Sequence, residues 1–121
     1  ARLKKLAGDD LDIYSGNDDQ VIPILSLGGI GVISVLSNVM PAATHDMVME
    51  YLDGNIKSAL DIQLKYLDFI EALFCEVNPI PVKSAMKLLG YDVGGLRLPL
   101  TELEAANRAR LKESLEKLKE N

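Results

Sequence analysis

The chain has 121 residues, 48% of them hydrophobic, with a formal net charge of −5, one histidine and one cysteine. That length supports one modest core but not a large barrel enzyme, and hydrophobic residues spread along the whole chain argue against disorder. Net acidity disfavours nucleic acid as a partner, the apolar stretches are too short for a membrane span, and a lone cysteine cannot close an internal disulfide, which fits a reducing, cytoplasmic setting.

In chain order, Ala1–Ala7 has helical composition and stops at Gly8, a common helix C-terminal residue. It reads as the last turns of a helix begun earlier. There is no initiator methionine, and the basic start leads into Gly8-Asp9-Asp10 rather than an apolar run. A fragment without a signal peptide is therefore expected. Leu11–Ser15 is predicted as a short strand closed by Ser15-Gly16-Asn17-Asp18. Asp18 is read as the cap of a helix reaching Leu27 and ended by Gly28-Gly29. Pro23 falls beyond the first turn of that helix and is expected to kink it or cost it a hydrogen bond. Gly31–Val35 is a second strand, β-branched and not clearly alternating, as suits parallel strands covered on both faces.

Asn38 and Pro41 open a helix to about Asp53, with Gly54 behind it. Asn55 is a candidate cap for a long amphipathic helix carrying Ile56, Leu60, Leu64, Leu67, Ile70 and Phe74 at three- and four-residue steps. Asn78-Pro79 and Ile80-Pro81 predict an extended entry to a helix over Val82–Leu89, ended by Gly90. Tyr91–Leu98 reads as a glycine-containing loop. Thr101 with Glu104 matches a capping box for a final charged helix striped by Leu103, Leu111, Leu115 and Leu118. Alternation of helix and strand followed by helices alone implies βα units and a parallel sheet, an α/β fold. Two strands leave unpaired edges, so further strands are expected from outside these residues.

Several chemistry-bearing residues have ordinary readings. Gly28-Gly29-Ile30-Gly31 precedes a strand, whereas a phosphate loop follows one and opens a helix, so a nucleotide site is rejected. Lys83 is read as a solvated helix lysine. His45 has no cysteine or second histidine near it, which disfavours zinc, and Asp46 beside it is expected to point away. Cys75 is read as a buried structural cysteine whose neighbour Glu76 disfavours the thiolate. Asp9-Asp10 and Asp18-Asp19 are read as turn and helix-start residues, where negative charge suits the helix dipole.

Three stretches together resemble the dihydrodipicolinate synthase family of pyruvate-dependent class I aldolases. They are Tyr14-Ser15-Gly16-Asn17-Asp18, then Leu27 to Val35 with Asn38 following, and Leu73 to Lys83 followed by Leu96-Arg97-Leu98-Pro99-Leu100. Order and spacing agree across almost the whole chain. The glycine-rich stretch is shared with sibling lyases, and the Asn78-Pro79-Ile80-Pro81-Val82-Lys83 run is more specific. The resemblance implies the C-terminal part of a (β/α)8 TIM barrel, with residues 1–54 forming the last βα units and 55–121 a C-terminal helical region. By the same resemblance, the two strands are the seventh and eighth of the barrel.

The resemblance also implies a lyase that condenses pyruvate with L-aspartate 4-semialdehyde through a lysine Schiff base in lysine and diaminopimelate biosynthesis. The imine-forming lysine belongs to the sixth strand, so no catalytic residue is expected in this chain, which should be inactive alone. No metal and no organic cofactor are implied, and the implied assembly is a cytoplasmic homotetramer, with Leu25, Leu27 and the helical region as expected contacts. The main-chain carbonyl of Ile33 is implied to lie beside bound pyruvate, with its side chain free to pack as core. Gly16 is implied as a wall of the site, against its plainer reading as a turn glycine. Asn17 stands where the family usually carries Asp. Two rival functions are a sibling lyase such as an N-acetylneuraminate lyase, which the Asn78–Lys83 run counts against, and a non-enzymatic helical interaction module.

Overall fold

The computed structural model describes residues 1–120. The expected parallel pair is present but shorter than its sequence pattern: β1 is Tyr14–Ser15 and β2 is Gly31–Val32, with Tyr14 opposite Gly31 and Ser15 opposite Val32. One further rung flanks it on each side, Ile30 N donating to Ile13 O and Ile33 N to Ser15 O, both at 2.8 Å. Local hydrogen bonds end both strands early. The Ser15 hydroxyl donates to Asn17 O at 2.7 Å and turns the chain. Val35 adopts helical angles (φ −79°, ψ −41°) and leads into a 3-10 turn at Leu36–Asn38. Leu11 and Asp12 lie outside the strand, and Val35 belongs to the turn.

The chain divides into two units, Ala1–Leu64 and the segment from Lys65 onward. In the first, α1 (Arg2–Ala7) ends at Gly8, whose φ of 57° favours a residue without Cβ. A 3-10 turn (Asp18–Gln20) precedes α2 (Val21–Ser26). Because α2 starts at Val21, Pro23 falls in its first turn, where amides have no intrahelical acceptor. The expected lost bond therefore does not arise. Gly29 N closes the end of α2 on Ile24 O at 2.9 Å. A Cβ at Gly29 would come within 2.6 Å of the Ile24 side chain, so the glycine at 29 serves this packing.

Next, α3 (Pro41–Leu52) is followed by Gly54, and α4 spans Ile56–Leu73. Val21, Leu25, Leu36, Val39, Met47 and Ala59 are buried in this unit. Leu25 thus belongs to the core and is not available as a subunit contact, whereas Leu27 is exposed. The expected apolar stripe of α4 is only partly an inner face. Ile56, Leu60 and Leu64 are exposed, while Ala59 and Gln63, one position away, are buried.

In the second unit, α5 (Ile80–Leu88) packs on α6 (Ala105–Glu120). The buried hydrophobic side chains include Phe69, Ile70, Ala72, Leu73, Ile80, Val82, Ala85, Leu103, Leu111 and Leu115. The chain enters α5 through a turn with a cis Asn78–Pro79 bond, not through an extended segment. Since α6 starts at Ala105, the Thr101–Glu104 capping box does not form. Glu76 replaces it, its Oε1 accepting from Glu104 N at 3.0 Å and Asn107 Nδ2 at 2.7 Å. No helix among the described residues is long and apolar enough to cross a membrane.

Candidate functional site

The two strands leave the sheet side by side, and the segments after them hold the sequence-predicted site residues. Ile33 follows β2 and is 72% exposed. Its amide makes the last rung to Ser15 O, and no group among the described residues donates to its carbonyl. The position was expected to combine a ligand-facing carbonyl with a core side chain; within this chain the side chain is not covered. Gly16 follows β1 and is exposed. A Cβ placed there meets no atom within 4 Å, and its φ is not in the left-handed range. Nothing within the described chain demands glycine at that position.

What joins these two exits is Asp18, which is 1% exposed. One carboxylate oxygen accepts from the Ser34 hydroxyl. The other accepts from Val35 N at 2.9 Å and Leu36 N at 3.1 Å. Asp18 does not cap the segment it begins; it crosses to the exit of the neighbouring strand. Its own carbonyl accepts from Gln63 Nε2 at 2.8 Å, and Gln63 Oε1 accepts from Ile22 N at 2.9 Å. The Ser34 hydroxyl further accepts from Ser37 N at 2.8 Å. Ser15, Asp18 and Gln63 are all buried, and no buried side-chain nitrogen or oxygen among the described residues lacks a partner. Satisfied buried networks of this kind fix one conformation, because each broken bond leaves a desolvated group behind.

Sequence reasoning missed this network. Asp18 and Asp19 look alike in sequence, and a carboxylate at the start of a helical segment reads as a cap. The partner Ser34 lies 16 residues away, just beyond the next strand, and parallel pairing brings the two together.

The remaining candidates are placed elsewhere. Lys83 is half-buried, and its Nζ donates to Gly95 O at 2.5 Å, pinning the glycine-containing loop rather than standing free in solvent. His45 Nδ1 lies 3.2 Å from Asp46 Oδ1, so these neighbours do meet, contrary to expectation. Both side chains are more than half exposed and can rotate towards each other, and such a pair is screened by water. Cys75 is half-buried instead of fully buried. Burial first, and then the charge of Glu76, push its thiol above the ordinary range.

The dihydrodipicolinate synthetase family model matches residues 1–118. The 4-hydroxy-tetrahydrodipicolinate synthase of Lachnoclostridium phytofermentans is 53% identical over 118 residues, which make up 98% of this chain and 40% of that protein. Among solved structures, dihydrodipicolinate synthase from Aquifex aeolicus matches with a TM-score of 0.93 and 38% identity, over 98% of this chain and 40% of its own. The chloride-inhibited dihydrodipicolinate synthase from Acinetobacter baumannii, complexed with pyruvate, matches with a TM-score of 0.90 and 33% identity over the same shares. The chain thus spans about two fifths of the length of these relatives.

Proposed function

The chain belongs to the dihydrodipicolinate synthetase family, and from that premise we propose that it is the C-terminal part of a (β/α)8 barrel that condenses pyruvate with L-aspartate 4-semialdehyde. On this reading β1 and β2 are the seventh and eighth strands, residues 1–54 complete the barrel, and 55–121 form the helical appendage. The remaining strands cover the open edges of the pair. The assembly is a cytoplasmic homotetramer, with the exposed Leu27 among its contacts.

The observation that carries the reading is the pair of adjacent, parallel strand exits at Gly16 and Ile33, both exposed and joined by a buried carboxylate. Active sites of such barrels lie at the C-terminal ends of the strands, where loops from several strands converge. A lysine amine from the sixth strand, outside these 121 residues, attacks the pyruvate carbonyl and forms an imine with loss of water. The imine loses a methyl proton to give an enamine, whose methylene carbon attacks the aldehyde. The chemistry requires no metal. The Ile33 carbonyl, an acceptor with no donor among the described residues, is suited to a proton-bearing group of the carbinolamine or imine. Gly16 lets the backbone approach the substrate without a side chain between them.

The test is turnover of pyruvate with aspartate semialdehyde, measured for this chain joined to the remaining strands and for the 121 residues alone. Condensation by the complete barrel and none by the shorter chain is the expected result. Activity of the 121 residues alone, or a preference for the aldehyde of a sibling lyase, would overturn the reading.

A further inference from the structure

Resting on that reading, we infer that Asp18 is a positioning residue for the pyruvate site, holding the Ile33 carbonyl in place through the backbone that follows it. The geometry is specific. After Ile33 the chain must leave the strand direction at once, because Val35 is already helical and Leu36–Asn38 form a 3-10 turn. A turn starting there exposes two successive amides, Val35 N and Leu36 N, to a buried environment. One Asp18 oxygen takes both, and the other takes the Ser34 hydroxyl. Three donors from consecutive residues on a single carboxylate fix the peptide planes immediately beyond the Ile33 carbonyl.

The carboxylate is itself anchored. Gln63 holds the Asp18 carbonyl, and Asp18 is 1% exposed, so it has no room to turn to solvent. Asp18 does not touch the proposed substrate position; it acts through Ser34, Val35 and Leu36. A carbonyl displaced by a fraction of an ångström loses alignment with its proton donor, and misplacement of about 1 Å can cost about 100-fold in rate.

The experiment compares Asp18→Ala, Asp18→Asn and the control Glu76→Ala in the complete barrel. Pyruvate KM and kcat are measured, along with amide exchange over residues 33–37. Asp18→Ala is expected to lower kcat/KM for pyruvate about 100-fold. Most of the loss should lie in KM, because the imine-forming lysine is untouched. Exchange at 33–37 should accelerate in the same variant. Asp18→Asn keeps one oxygen able to accept from Val35 and Leu36, and should recover to within about tenfold of wild type. Glu76→Ala removes a helix cap in the other unit and should leave pyruvate KM unchanged. A folded Asp18→Ala variant with wild-type KM overturns the inference, as does an equal KM rise in Glu76→Ala. If Asp18→Ala does not fold, Asp18→Asn decides: a raised KM supports the inference and an unchanged one overturns it. Wild-type enzyme without pyruvate turnover overturns the proposed reaction and this inference together. Wild-type turnover with unaltered variants overturns this inference alone.

Discussion

The two units are built on different physical principles. Among the described residues from Lys65 onward, ten hydrophobic side chains and one polar one, Ser114, are buried, and the long polar contacts, such as Glu76 with Asn107 and Glu71 with Arg110, lie towards the surface. Residues 1–64 bury six hydrophobic side chains but four polar ones, Ser15, Asp18, Thr44 and Gln63. Twelve of the sixteen exposed large hydrophobic residues, Tyr14, Ile30 and Ile33 among them, also belong to this first unit. A helical unit of the second kind specifies itself through apolar burial. The first unit fixes its strand exits through hydrogen bonds and leaves its apolar surface for something else to cover, as expected of part of a sheet whose other strands come from elsewhere.

The largest expected effect of this difference is in the 121-residue chain by itself. Amides of α5 and α6 should be protected from exchange about 100-fold more than those of β1 and β2, because local stability follows buried contacts. Uniform protection, with one sharp unfolding transition, would break the comparison and favour a self-sufficient interaction module. Next, Phe69→Ala in the second unit should cost about 4 kcal/mol by denaturant unfolding, as a fully buried aromatic leaves a cavity. A cost below 1 kcal/mol would mean that this core is not well packed.

In the first unit, Gln63→Leu should cost about 2 kcal/mol, although it adds apolar surface, since Ile22 N and the Asp18 carbonyl both lose their partner. A neutral or stabilising result would remove the claim that polar bonds organise that unit. Glu76→Ala should cost about 1 kcal/mol, the usual worth of a helix cap, with faster exchange confined to the start of α6.

The smallest effect concerns pH. The Cys75 thiol lies above its ordinary value of 9.0 because burial, then Glu76, disfavour the thiolate. The stability it contributes is complete below pH 9 and is lost as pH rises through the higher folded-state value. Alkylation of Cys75 at pH 8 should therefore be slower in the folded protein than after denaturation, and equal rates would contradict the shift.

Legibility in the sequence divided between helix spans and the contacts that end or join the elements. Helices with a long 3.6-residue period or a glycine behind them, α1, α3, α4 and α5, were readable to within a residue or two at most ends. Gly8, Gly54 and Gly90, all with positive φ, mark three of those ends. The strand lengths were not readable, because Ser15 and Val35 end the strands through local hydrogen bonding that β-branched composition does not encode. The capping box at Thr101 failed for a similar reason: a carboxylate distant in sequence, Glu76, took over the role. Asp18 is the instructive case. Its identity suggested a local cap, and its actual partners depend on a register between two strands that no single segment contains. Gly16 and Ile33 came from family resemblance, and their exposure at adjacent strand exits is consistent with the role proposed for them.

The most direct test of the central claim is denaturing mass spectrometry after incubation with pyruvate and borohydride, which reduces the imine to a stable adduct. A pyruvate adduct on a lysine outside these 121 residues, in a polypeptide that carries or accompanies them, is the expected result. An adduct on Lys83 or another lysine of this chain, or none in a sample that contains the complete barrel, would contradict it.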